Sequence, residues 1–421
     1  MRTTRLTHWG LGLALALGAL AGTSPTASAQ EGGLSPIWNL EANPGYEPAM
    51  AGPLQCSPDL QDPNFYVGLE YLLWWISGEN SPPILTTGPA NVTGPSGRAG
   101  VVGAPGTQVL AGGDIGFGAS SGARVSLGGW LCDDRSLGFE VTYLFLGQQT
   151  NSRTFTNSGL PGAQPLSIAF NNAQLGGVPD STGVAVPGSY SGTASLGTAI
   201  DLQSFEANLP MRLSTGSVWR IDGITGFRWV ILDEYTSLST YSRQTYDPLY
   251  LMTTDRFSTT NNFYGGQLGL KATGQFDRWT VQGYTKVALG ATASDIKITG
   301  TGLGTVFSSS PGMPLGYPGG YLAQPSNEGN YRDANFAVLP EVGMNVGYDV
   351  TARLNLFIGF SGFYLSQAAR SAEQISPLIN PSQSATFSGP TTYTGPAAPL
   401  PTWDIGNFWA YGLNFGGQFK W

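Results

Sequence analysis

Eleven charged residues stand in stretches where every second position is apolar, and each falls on the face opposite the apolar one. They are Glu70, Arg124, Glu140, Glu206, Arg212, Arg220, Asp222, Arg228, Lys271, Lys286 and Glu341. Five are acidic and six are basic. A pore that selects one ion sign needs a lining of one sign, so this nearly balanced set predicts one of two things. Either it lines a weakly selective polar channel, or its charges pair and fill a narrow interior. Opposite charges on neighbouring strands attract, and Arg220, Asp222 and Arg228 share one stretch while Glu206 and Arg212 share the stretch before it. Arg228 is therefore expected to be held by Glu206 or another inward carboxylate, and Arg228→Ala to loosen the interior and raise conductance.

Other chemistries find little support. Acyl-transfer enzymes usually need a histidine as general base. The sole histidine, His8, lies in a segment predicted to be removed. Two cysteines without histidine do not fill a tetrahedral zinc shell. Asp247, Asp255 and Asp333 have no calcium-loop spacing. The glycine-rich GGDIGFG at 112–118 precedes no helical pattern and does not read as a phosphate loop. No enzyme activity, cofactor or metal is expected.

The elements that position these charges repeat with a period of two, the signature of strands with one greasy and one wet face. The end of the chain, NFWAYGLNFGGQFKW (407–421), is the plainest case: Trp409, Tyr411, Leu413, Phe415, Phe419 and Trp421 share a face. Further strands are expected over about 64–77, 114–131, from Leu137, then over about 201–214, 218–232, 262–276, from Trp279, over about 335–348, and from Leu354. Short turns at 132–135, 215–217, 277–278 and 349–353 alternate with long connections at 78–113, 151–200, 233–261, 295–333 and 366–403. This rotation predicts an all-β fold: one antiparallel up-and-down transmembrane barrel of about ten strands, with long extracellular loops and short periplasmic turns. Pro210 and Pro340 fall inside proposed strands and suggest bulges or shifted boundaries. Short strands within the loops could raise the count to twelve. A barrel of about eight strands is filled by side chains and open porins need about 16, so ten lies near the filled end. The lumen is expected to conduct little.

The N-terminus reads as a secretory signal: Arg2 and Arg5, the apolar run Leu11 to Ala21, then Ala27-Ser28-Ala29. Cleavage after Ala29 leaves 17 basic against 27 acidic residues, a net charge of −10, which argues against a nucleic-acid partner. Residues 30–63, rich in Pro, Gly and Asn, form a periplasmic linker, and 64–421 form the barrel. Cys56 and Cys132 are expected to pair. Strand one begins near Asn64, beside the end of strand two near Leu131. The eight residues from Cys56 reach roughly 26 Å, and the compartment is oxidising.

Several fragments together are similar to a known family. EYLLWW (70–75), PPILTTGP (82–89), GFRW (226–229), FYGGQLG (263–269), AEQISPLINP (372–381) and the closing FWAYGLNFGGQFKW resemble the putative beta-barrel porin family numbered seven, from about Phe65 to the C-terminus. The resemblance implies an outer-membrane barrel of Gram-negative type and brings no catalytic or ligand residues. Outer-membrane barrels in general present a terminal aromatic to their assembly machinery, a role that falls here to Phe415, Phe419 and Trp421. The expected partners are outer-membrane lipids and that machinery. Two functions follow: porin-like passage of small polar solutes, or a largely closed structural or surface-binding barrel that displays Gly/Ser/Thr-rich loops whose ligand the sequence does not name.

Overall fold

The structure, a computed structural model, describes residues 65–421 except Thr93, Ser96, Asp133, Phe307, residues 309–312 and residues 390–393. The signal segment, the linker and Cys56 lie outside the described residues. In chain order the strands are β1 (Phe65–Ile76), β2 (Glu79–Thr87), β3 (Gln108–Ile115), β4 (Ser120–Trp130), β5 (Gly138–Asn157), β6 (Leu166–Asn172), β7 (Val178–Ala185), β8 (Tyr190–Thr215), β9 (Trp219–Gln244), β10 (Tyr250–Phe276), β11 (Trp279–Gly304), β12 (Leu315–Pro318), β13 (Gly329–Asp349), β14 (Leu354–Ala369), β15 (Leu378–Ile379) and β16 (Ile405–Lys420).

Ten of these close into an antiparallel ring in the order β1, β4, β5, β8, β9, β10, β11, β13, β14, β16. The last strand returns to the first, from Tyr66↔Lys420 to Ile76↔Ala410. Closure removes the sheet edges that would otherwise need covering. Alternation then sorts the side chains. On β1, Phe65, Val67, Leu69, Tyr71 and Trp75 are exposed on the outside, whereas Leu72, Trp74 and Ile76 are buried inside. On β10 the outward set is Tyr264, Leu268, Leu270 and Phe276. Aromatic pairs edge this outer band. Phe65–Trp421, Trp219–Phe276 and Trp279–Tyr348 lie at the short-turn end. Trp75–Tyr411, Trp409–Tyr411 and Trp229–Tyr264 lie about ten residues further along their strands. An apolar belt of that height between aromatic girdles suits a bilayer.

The strands run well past the belt. β8 begins at Tyr190 rather than Asp201, β9 continues to Gln244 rather than Leu232, and β10 starts at Tyr250 rather than Asn262. The reason is a change of solvent. Beyond the belt the outside meets water, so Ser237, Ser239, Thr254 and Ser258 replace the greasy residues, and the contrast that marks a strand fades although the ladder continues. The stretch expected as one strand over 114–131 is broken: β3 ends at Ile115 and β4 starts at Ser120. The two prolines need no bulge of their own. Pro210 opposes Ile224 in register, and the β5 ladder breaks between Asn208 and an isolated bridge at Met211. Pro340 opposes Val287, and the β14 ladder ends at Glu341. Each missing N–H falls where one flanking ladder is already interrupted.

The long connections are themselves structured. β15, β6, β2 and β3 form a second sheet, with β7 paired to β6, and β12 adds to the upper part of β11 where β13 has ended. These short strands do not enter the ring. The second sheet packs Ile84, Leu85, Ile168 and Phe170 against ring residues Leu196, Leu238, Phe257, Ile296 and Ile298.

Candidate functional site: a layered lumen

The interior is stacked in layers, and β9 can be read upward through them from the short-turn end. Its inward residues are Asp222, then Arg228, then Val230 and Leu232, then Glu234, then Leu238.

The lowest layer is a cavity of about 420 Å³ at the short-turn end, lined by Glu70, Arg124, Glu140, Glu206, Arg220, Asp222, Lys271, Lys286 and Glu341 among others. Nine of the eleven charges singled out from sequence thus face one space. Arg212 and Arg228 join through ion pairs. Arg212 Nε lies 2.5 Å from Asp222, and Arg220 Nε lies 3.9 Å from the same carboxylate. Two tyrosines lie along the wall because the neighbouring strand offers a glycine. A Cβ on Gly128 would meet Tyr66, and one on Gly343 would meet Tyr284. Tyr66 thereby donates its hydroxyl to Glu140, which also faces Lys271 Nζ at 3.5 Å, and Tyr284 donates to Glu341 at 3.0 Å.

The cavity ends against a charge layer. Arg228, 1% exposed, bonds Glu341 and stands 3.2 Å from Glu206. Lys286 Nζ bridges the same two carboxylates at 2.7 and 3.3 Å. Gln267 adds a hydrogen bond to Glu206 at 2.9 Å. On the opposite wall Arg124 pairs with Glu70 at 3.0 Å and donates to Ser361 at 3.2 Å. Buried charges are tolerated when paired and hydrogen-bonded; every charge in this layer is paired, while Arg228 Nε and Gln267 Oε1 are left without a hydrogen-bond partner.

Above it lies an apolar layer across the lumen: Leu72, Trp74, Leu144, Leu202, Val230, Leu232, Phe263, Leu339, Phe363 and Phe408, all 4% exposed or less. The two layers meet through cation–ring contacts, Arg228 on Phe363 at 5.0 Å and Arg124 on Trp74 at 5.5 Å. Trp74 donates its indole N–H to Asn414 at 2.8 Å, so its one polar group is satisfied within the layer.

A second buried ion cluster sits higher. Arg370, at the end of β14, reaches Glu234 Oε1 and Oε2 at 2.8 and 2.9 Å, together with Ser77, Gly78 and Asn407. Glu79, on β2 outside the ring, accepts from Ser371 Oγ at 2.9 Å and Ala372 N at 2.6 Å. Burial, then repulsion by Glu234, raises the Glu79 carboxyl to about 8. Asp255 performs a similar task for the long connection between β11 and β13: it accepts the backbone N–H groups of Tyr321, Leu322 and Ala323 at 3.1, 2.8 and 2.7 Å. Burial raises its carboxyl to about 6 against the pull of those donors.

A family model for Putative beta barrel porin-7 matches residues 66–421. The chain belongs to that family. The Putative beta barrel porin-7 match covers the whole ring and its connections, and it carries the outer-membrane β-barrel assignment. Among solved structures the chain is similar to the outer membrane protease OmpT from Escherichia coli, at 10% identity, covering 87% of this chain and 99% of that one with a TM-score of 0.40. It is also similar to a Pseudomonas aeruginosa FadL homologue, at 9% identity, 86% and 90% coverage and a TM-score of 0.21. A third is the Pseudomonas putida toluene transporter TodX, at 9% identity, 86% and 90% coverage and a TM-score of 0.19. No curated protein matches the chain.

Sequence reasoning assigned Glu234, Asp255 and Arg370 to loops and did not single out Glu79. One signal was available. The run TTDRFSTTNNF (253–263) is rich in Thr and aromatics, which favour strands, and its odd members Thr253, Asp255, Phe257, Thr259 and Asn261 are all buried. Phe415 and Phe419 lie outward on β16, and Trp421 is exposed just beyond its end. Cys132 is buried just beyond β4.

Proposed function

We propose that this member of the family is a ten-stranded outer-membrane barrel that is closed at rest and acts as a structural and display barrel rather than as an open diffusion pore. In this reading the short turns face the periplasm and the long connections face outward. The observation that carries it is the apolar layer of Trp74, Phe263, Phe363, Phe408 and their neighbours, which spans the lumen directly above the charge layer. A hydrated solute crossing it would have to shed its water among side chains with no hydrogen bond to offer. The buried contacts of the second sheet at the outer mouth support the same reading.

Planar-bilayer recording of the refolded full chain tests this. Channel activity absent, or limited to rare brief events, is the expected result. Steady conductance of open-porin size in every insertion would overturn the closed reading and favour passage of small polar solutes instead.

A further inference from the structure

We propose that the buried cluster around Arg370 is a proton-operated latch. It fastens the second sheet and the last long connection to the ring while Glu79 holds its proton, and frees them when that proton leaves.

Four parts of the chain meet in this cluster. Arg370, just past β14, donates Nε–H to both oxygens of Glu234 on β9. Its other nitrogens donate to Ser77 and Gly78, between β1 and β2, and to Asn407 on β16. Glu79 opens β2 and accepts from Ser371 Oγ and Ala372 N at 2.9 and 2.6 Å. Ser371 N also donates to Glu234 at 3.3 Å. Glu79, Glu234 and Arg370 are 2%, 3% and 1% exposed.

One buried cation thus stands among two buried carboxylates, and Glu234 takes it. Among the described residues no cation lies within ion-pair distance of Glu79. Glu79 Oε1 is buried and has no hydrogen-bond partner. A neutral carboxyl tolerates that position, whereas a carboxylate there would stand unpaired beside Glu234. The geometry therefore calls for a protonated Glu79, and burial with repulsion by Glu234 keeps the proton on up to about 8. The neighbouring charges do not supply the missing cation. Glu373, in the same connection, is half-buried and is itself held above the usual carboxylate range, chiefly by burial, with Asp404 adding repulsion. On β3, Ile115 stands opposite Glu79, and Asp114 beside it is exposed.

Once released, Glu79 meets water and titrates near the ordinary value of about 4.3. Below that pH both forms hold the proton. Between there and about 8 only the latched form holds it, so each pH unit favours release by up to about tenfold. Above about 8 neither form holds it and the balance stays level. The ring ladders do not depend on this proton, so the opening is local.

The test is hydrogen exchange read by mass spectrometry on the full chain folded in neutral detergent micelles, from pH 5 to pH 9, with each rate taken relative to the intrinsic rate at that pH. Protection of β2, of β6 and of residues 372–380 is expected to fall together, by up to about tenfold per unit, and to level off near pH 8. The belt portions of β10 and β11 should keep their protection throughout, and return to pH 5 should restore the rest. E79Q, which cannot ionise, should make the profile flat. E234Q should end the fall at lower pH, because an ionised Glu79 then has Arg370 to itself. E373Q should leave the fall in place. Heat-dependent gel migration verifies that each variant is folded, and the parent's own profile tests the latch without any variant. The proposal is overturned if protection of the second sheet is constant from pH 5 to pH 8, or if E79Q follows the parent. It is equally overturned if E373Q alone flattens the profile, or if β10 and β11 lose protection in step, which would be general unfolding. Bilayer conductance reads the apolar layer and exchange reads the cluster above it, so the seal and the latch stand or fall separately.

Discussion

Replacing Arg228 by alanine is the sharpest probe of the lumen. The arginine is 1% exposed and bonds two carboxylates whose side chains are 7% and 2% exposed, so almost none of its interaction is screened by water. Removing one partner of a buried pair typically costs about 3–5 kcal/mol, because the other charge stays buried and uncompensated. Here two carboxylates are left, but Lys286 still bridges both at 2.7 and 3.3 Å. That remaining cation argues for the lower end, about 3 kcal/mol. The assay is reversible denaturant unfolding in lipid vesicles, followed by tryptophan fluorescence. Combining R228A with E206Q should cost less than the sum of the two single changes, since the second removes the stranded charge. Against the rise in conductance expected from sequence, conductance should stay low in R228A, because the apolar layer above is untouched, and should rise only when W74A or F363A is added. A loss below about 1 kcal/mol with strict additivity would refute the pairing account. Steady conductance in R228A alone would show that the charge layer, rather than the apolar layer, is the seal.

The remaining predictions concern the upper cluster and the N-terminus. Glu79 has a carboxyl raised well above the ordinary value of about 4.3, so its stabilising contribution is complete below that value and is lost as pH rises through about 8. The protection of β2 amides, their exchange rate relative to the intrinsic rate at each pH, should therefore fall between pH 7 and 9, and E79Q should flatten that dependence. Truncating Asp255 to alanine strands three buried backbone donors, which costs about 3 kcal/mol or more locally. Limited proteolysis should then cut within residues 319–328, where the parent resists. Cys56 and Cys132 should resist alkylation until reductant is added; full labelling of both without it would rule out the bridge. Mass spectrometry of the exported chain should find Gln30 at its N-terminus, and a chain that retains Leu11 to Ala21 would dispose of the signal-peptide reading.

How much could be read in advance depended on which solvent each face meets. Within the belt, lipid outside and polar groups inside give every second residue an opposite character, so β1, β9 and β16 and all eleven lumen charges were legible. Above the belt, water replaces lipid, and a strand such as Thr253–Asn261 carries polar residues on both faces. Its alternation is one of burial rather than of hydrophobicity, and composition records only the second. Arg370 and Glu79 were hidden for another reason. Their partners Glu234 and Ser371 are distant in sequence or lie in a segment without period, so only the folding of the connections into the mouth brings them together. The apolar layer was half visible. In LLWWI (72–76) the sequence is apolar on both faces, and the structure shows why: Leu72, Trp74 and Ile76 form part of the seal while Trp75 meets the outside.

The length of β8 to β11 has a consequence for how far the molecule stands off the cell. Each has 26 or 27 residues, a contour of about 85 Å at roughly 3.3 Å per residue. Tilted by about 40° that gives roughly 65 Å of height, against about 25 Å for the apolar band. With the long connections outward, some 40 Å of hydrogen-bonded wall rises beyond the hydrocarbon. In the orientation proposed above, a wall of that height would be a pedestal: it would lift the crown through the layer of lipid sugars, so that whatever the crown meets would be met at the outer edge of the envelope rather than at the membrane.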